Sequence, residues 1–169
     1  MIRNYILKKN IDDLKIVAIV QARINSTRYR GKVMKLLNKK PIIEIIHSIL
    51  QESKFINNVV IATSINSEND KLVNFLEKNN IDYFRGSEND VLDRYYKIAK
   101  KLQADLIVRV TGENPLIDVS FIDKGIKKIQ NGQFDYVSNN YPRTFPLGLD
   151  FEVFIFDTLE RLKKSAKNH

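Results

Sequence analysis

Four short, nearly unbroken apolar runs, at residues 16–20, 59–62, 106–110 and 153–155, alternate with longer stretches whose apolar residues recur three and four apart. A strand that is apolar at every position has no face to give to water, so it needs cover on both sides, as in a parallel sheet. The intervening stretches are built to give that cover. Ile42, Ile43, Ile46, Ile49 and Leu50 make one helical stripe, and Leu72, Val73, Phe75 and Leu76 make a second. A third holds Val91, Leu92, Tyr95, Ile98, Ala99 and Leu102, and a fourth holds Phe121, Ile122, Ile126 and Ile129. Pro41, the segment 66–70 and Asp118 stand where these helices should begin. The expectation is an α/β domain of three layers, α/β/α, around a mostly parallel, Rossmann-like sheet. Residues 131–149 break the pattern. With Gly132, Pro142, Pro146 and Gly148 they predict a short strand and a long loop, and long loops in compact domains often carry function.

With 169 residues the chain is long enough for one sizeable core. It has no cysteine, which excludes disulfides and thiolate metal sites. No window approaches the ~18 consecutive apolar residues of a membrane span. A cytoplasmic protein without membrane contact is expected. The formal charge of +8 suits anionic partners. However, the lysines are dispersed in pairs such as Lys100-Lys101 and Lys163-Lys164 at the edges of amphipathic stretches, as on solvated helix faces. The joint excess of Lys, Asn and Ile is also what AT-rich coding produces. Nucleic acid is therefore not the expected partner.

In open α/β sheets ligands bind beyond the carboxyl ends of the strands. The segment after the first apolar run reads Gln21-Ala22-Arg23-Ile24-Asn25-Ser26-Thr27-Arg28-Tyr29-Arg30-Gly31-Lys32. Arg23, Arg28, Arg30 and Lys32 place four cations in ten positions, Ser26 and Thr27 add hydroxyls, and Gly31 lets backbone approach a ligand. Guanidinium forks and an ammonium suit a chain of phosphates. The glycine spacing of a Walker loop is missing. Taken alone, the segment is either an anion-binding loop or an exposed basic loop with no ligand.

Motifs in order along the chain resolve this choice. Residues 19–23, Ser26-Thr27-Arg28 and Gly31-Lys32 resemble the opening of the cytidylyltransferases that make CMP-activated acidic sugars, most closely their SpsF branch. The resemblance continues through residues 61–64, 84–96, 109–118, 136–139 and 148–150. It implies a nucleotide-diphospho-sugar-transferase-like fold for residues 15–169, with residues 1–14 as an N-terminal extension. It also implies transfer of CMP from CTP to a sugar with release of pyrophosphate.

Each site residue follows from the same resemblance. Arg23 and Lys32 would grip the CTP phosphates, with Ser26, Arg28 and Gly31 assisting. Gln21 and Ala22 would lie against the base, Ala62 would end the second strand of the pocket, and Asp93 with Arg94 would organise it. Glu113 would be a catalytic ligand of Mg²⁺, which prefers oxygen ligands and keeps several waters. Arg85, Asn139, Asp150 and Glu152 would meet the sugar. The residues themselves leave plainer readings open: Glu113 as a solvated loop acid, Asp93-Arg94 as a local charge pair, Arg109 as structural or pocket-lining, and His47 as a packed residue.

The chain departs from its relatives in several ways. Glu113 stands where they have Asp, and Arg30 where they have Pro. They also continue beyond this chain's last residue, into a part that supplies a second acidic ligand and a dimer-forming helix, so the chain is expected to be truncated relative to them, with a homodimer as one possible assembly. Two other functions stay open: a nucleotide-sugar-dependent glycosyltransferase, since related folds serve both chemistries, and an inactive domain that binds nucleotide or a partner.

Overall fold

The computed structural model describes residue 6 and residues 9–25, 29–132, 134–143 and 145–166. Its strands are β1 (Ile16–Gln21), β2 (Leu36–Leu37), β3 (Lys40–Pro41), β4 (Asn58–Ser64), β5 (Tyr83–Gly86), β6 (Leu106–Thr111), β7 (Tyr136–Ser138) and β8 (Glu152–Ile155). Its helices are α1 (Ile42–Gln51), α2 (Asp70–Lys78), α3 (Val91–Lys101), α4 (Val119–Gln130) and α5 (Phe156–Ser165). Six strands form the main sheet in the order β5-β4-β1-β6-β8-β7, and β2 and β3 form a separate hairpin. Contacts between β1, β4, β5 and β6 are parallel, and β8 alone runs against its neighbours.

The predicted three layers are present. Ile16, Ala18 and Val20 of β1 pack into one core with Ile43 and Ile46 of α1, Leu72 of α2 and Ile126 of α4. The alternate residues Val17 and Ile19 pack on the other face with Tyr95 and Ile98 of α3 and Leu159 of α5. Residues 16–20 are all fully buried, which a strand tolerates only when helices lie on both faces. Each of its Ile and Val side chains contributes ~1.5–3 kcal/mol on burial, so this strand is the centre of the fold.

Local signals set the ends of the elements. Asp118 caps α4 by accepting the Ser120 N–H at 2.8 Å, as its position predicts. Asp90 caps α3 in the same way, accepting the Asp93 N–H at 2.7 Å. The β2–β3 hairpin turns through Asn38 (φ 50°) and Lys39 (φ 67°), the pair of left-handed residues that a two-residue hairpin needs. Ile6 and Leu14, from the segment read as an N-terminal extension, are buried in the same core as β1. Among the described residues, no helix is long and apolar enough to cross a membrane.

Candidate active site

The chain builds outward from β1 through β4 to β5, then returns to the other side of β1 as β6. The strand order reverses between β1 and β6, and at such a switch point the two outgoing loops diverge and leave a crevice. A cavity of about 780 Å³ occupies this place. Gln21, Arg23 and Lys32 line it from the β1 side, and Thr111 and Glu113 from the β6 side. Asp150 and Glu152 line its far wall. Sequence order does not show this wall. It forms because β8 is antiparallel, so the start of β8 meets the end of β6, with Glu152 paired to Arg109.

Close backbone packing forms the floor. The Gly112 N–H donates to the Gln21 carbonyl at 2.8 Å, and the Ala22 N–H to the Ala62 carbonyl at 3.0 Å. Ala22 and Ala62 are thus joined, and the Ala22 N–H is spent inside the sheet. A Cβ on Gly112 would stand 2.9 Å from the Ala22 Cβ and 3.0 Å from the Gln21 carbonyl oxygen, so glycine is required where these loops touch. Gly31 holds φ 72°, and its N–H reaches the Ile24 carbonyl at 2.8 Å, which closes the loop and delivers Lys32 at the start of a short 3-10 turn. Ser26 and Arg28 lie outside the described residues.

Each cation on the wall is matched by a carboxylate. Lys32 Nζ lies 3.3 Å from Glu113 Oε2, Arg23 Nη1 lies 2.8 Å from Glu88 Oε1, and Arg109 pairs with Glu152. Lys32 and Glu113 are each about one-third exposed, and such pairs are worth only ~0–1 kcal/mol, so an incoming polyanion can open them. The Arg109–Glu152 pair is set deeper, above the buried phenol of Tyr95. Burial pushes the Tyr95 hydroxyl far above its ordinary range. Burial also opposes the charge on Arg109, and the ionised Glu152 paired with it offsets that cost.

Of the remaining expected residues, Arg85, Asp93, Arg94 and Asn139 are not on the cavity wall. Arg85 points away from it. Its guanidinium ties the β4–α2 loop by donating to the Ser64, Ile65 and Asn66 carbonyls and by pairing with Asp70 at 2.7 Å. Asp93 pairs with Lys97 at 2.7 Å and Lys163 at 3.1 Å, and not with Arg94. Arg94 is 2% exposed and donates to the Ser87 and Glu88 carbonyls, which fixes the loop that carries Glu88. Asn139 braces the far loop, donating to the Leu149 carbonyl at 2.7 Å and accepting the Phe151 N–H at 3.0 Å. Asp150 is held by Arg143 at 2.6 Å. Glu88 was not foreseen, since a polar loop residue carries no pattern of its own.

Among the described residues, no three His, Cys, Asp or Glu side chains gather closely enough to hold a metal. Glu113 offers a single carboxylate at the cavity. That fits Mg²⁺ only as this ion is usually held, by one or two carboxylates together with substrate phosphates and water.

Comparisons with known proteins agree with this geometry. The uncharacterized protein MJ1063 of Methanocaldococcus jannaschii is 42% identical over 154 residues, which cover 91% of this chain and 62% of that protein. The spore coat polysaccharide biosynthesis protein SpsF of Bacillus subtilis is 36% identical over 142 residues, covering 82% of this chain and 58% of that protein. A solved cytidylyltransferase from Leptospira borgpetersenii superposes with a TM-score of 0.84 at 36% identity, covering 89% of this chain and 64% of that one. The chain thus spans about three-fifths of the length of these relatives. Residues 17–166 match the cytidylyltransferase family, and the chain belongs to it.

Proposed function

We propose that the cavity between β1 and β6 binds CTP and a sugar, and that the protein transfers CMP to a sugar hydroxyl with release of pyrophosphate. The observation that carries this reading is the convergence of Arg23, Lys32 and Glu113 at the strand-order switch point, with Asp150 and Glu152 on the opposite wall of the same cavity. In the reaction, the sugar oxygen attacks the α-phosphorus and the hydroxyl loses its proton. The bond from that phosphorus to the bridging oxygen breaks, and pyrophosphate leaves. Negative charge grows on the phosphate oxygens, so fixed cations at Arg23 and Lys32 lower the barrier by position and electrostatics. Glu113 would be the protein's ligand to Mg²⁺, which supplies further charge neutralisation of the triphosphate when bound. Asp150 and Glu152, already holding guanidinium groups, would accept hydrogen bonds from sugar hydroxyls. An acidic sugar of a surface polysaccharide is the acceptor we favour, in line with the name of the SpsF relative and with Arg109 on the cavity wall. The reaction would take place in the cytoplasm.

A second reading, nucleotide binding without turnover, draws support from the carboxylates of the cavity, Glu113, Asp150 and Glu152, each being held by a cation of the chain itself. One experiment separates the two: calorimetric titration with CTP, followed by Mg²⁺-dependent pyrophosphate release across a panel of acidic and neutral sugars. Binding with turnover supports transfer, binding with no turnover on any sugar supports the second reading, and no CTP binding refutes both.

A further inference from the structure

Arg23 and its neighbour Ile24 are held by polar contacts from segments far apart in sequence. The Arg23 guanidinium donates through Nη1 to Glu88, 65 residues away, at 2.8 Å. The next residue, Ile24, donates its N–H to Asn69 Oδ1 at 2.9 Å. Asn69 Nδ2 in turn donates to the Ser64 hydroxyl oxygen at 2.8 Å. Ser64 and Arg23 together hold the Glu88 carboxyl below its ordinary range. Ser64 and Asn69 are each 1% exposed, so the contact between them is fixed in the core. The Glu88 loop is gripped separately by the buried Arg94, and Gly86 is needed for that grip, since a Cβ there would stand 2.7 Å from Arg94 Cγ.

A surface arginine rarely receives this much support, because ordering a long side chain costs rotamer entropy. The contact is monodentate. Arg23 makes this one hydrogen bond among the described residues, which leaves the other N–H groups of its fork to a ligand. It also lines the cavity.

We infer that Glu88 is a positioning device for Arg23, holding one edge of the guanidinium so that the other faces the phosphates of the nucleotide. This rests on the nucleotide-binding reading and adds to it a residue outside the loop that meets the ligand. Glu88 is a positioning residue: it acts through Arg23 and touches no reacting atom.

The test uses the whole chain and two ligands, CTP and inorganic tripolyphosphate, titrated by calorimetry against wild type, Glu88→Gln, Glu88→Ala, Arg23→Ala and the double variant Arg23→Ala/Glu88→Ala. Glu88→Ala should weaken both ligands about tenfold, the scale of one charge-assisted hydrogen bond. Glu88→Gln, which keeps an acceptor, should recover most of that loss. In the Arg23→Ala background the second substitution should change affinity less than about twofold, because the two residues act as one unit. The side-chain Nε–H resonance of Arg23 should be sharp in wild type and broaden in Glu88→Ala without any ligand.

Tighter binding by Glu88→Ala would overturn the inference, since Glu88 would then be a competitor for Arg23. An undiminished loss in the Arg23→Ala background would overturn it as well, by showing a general structural effect. If tripolyphosphate binds with the stated pattern and CTP does not bind, positioning stands and the nucleotide reading falls. If neither ligand binds wild type, both fall.

Discussion

Replacing Gly112 by alanine probes the point where the two halves of the cavity floor touch. The backbone there tolerates any residue, so the effect comes from crowding alone. The new Cβ would lie 2.9 Å from the Ala22 Cβ and 3.0 Å from the Gln21 carbonyl oxygen. Ordinary contact begins near 3.4 Å, so the β1 end must retreat by about 0.5 Å. That displacement stretches the Gly112–Gln21 hydrogen bond, now 2.8 Å, and moves the root of the loop bearing Arg23. Overpacking of this kind costs about 1–3 kcal/mol. In a chain of this length each kcal/mol lowers Tm by ~2–4 °C, so a fall of about 2–12 °C is expected by scanning fluorimetry. Misplacing a reacting group by 1 Å costs about a hundredfold in rate, so roughly tenfold is expected in pyrophosphate release. Leu76→Ala, in a fully buried site on α2, is the control: it should cost ~2–5 kcal/mol and leave the rate per folded molecule unchanged. A Gly112→Ala protein with wild-type Tm and wild-type turnover would refute the claim that this contact sets the cavity floor.

Lys32→Ala should weaken CTP binding about tenfold or more by calorimetry, as one charge-assisted phosphate contact is lost; retained full affinity would remove Lys32 from the phosphate grip. Glu152→Gln should cost about 1–2 kcal/mol in urea unfolding, because Arg109 keeps its charge but loses the ionised partner that compensates its burial. Pairing it with Arg109→Met should recover part of that loss. Burial lowers the His47 pKa against the pull of Asp82 and Glu44. The unfolded chain therefore binds more protons as pH falls through the ordinary value near 6.5, so stability from this group is full above that pH and declines below it. His47→Gln should accordingly lose less Tm than wild type between pH 7.5 and pH 5; an equal loss would show that His47 does not contribute.

Much of this architecture is legible in the sequence because it arises from local pattern. Continuous burial of residues 16–20 appears as an unbroken apolar run, that of 106–110 as a run broken only at the half-buried Arg109, and the helical stripes mark the faces that cover them. The cap at Asp118 is likewise a local signal. What the sequence does not display depends on contacts between distant segments. Nothing near residue 152 reveals that β8 runs antiparallel, and so the pairing of Glu152 with Arg109 is visible only in the sheet. Asp93 has a legible partner four residues on, Lys97, but its second partner, Lys163, is brought in by the packing of α5 on α3. Arg85 is named by the resemblance alone, and only the structure shows that its Nε and Nη2 donate to the backbone carbonyls of residues 64–66. Glu88 is ordinary as a loop acid and acquires meaning only through Ser64 and Arg23.

The reversed β8 has an evolutionary consequence. Because β7 ends and β8 begins at the cavity, one uninterrupted connection, residues 139–151, forms most of the wall opposite the cations. The side that bears Arg23, Lys32 and Glu113 hangs on β1 and β6, which lie in the centre of the core. The connection opposite is anchored at Asn139 and Phe151. Under the proposed function, rewriting about a dozen contiguous codons would alter the sugar side of the cavity without touching the strands that carry the cations.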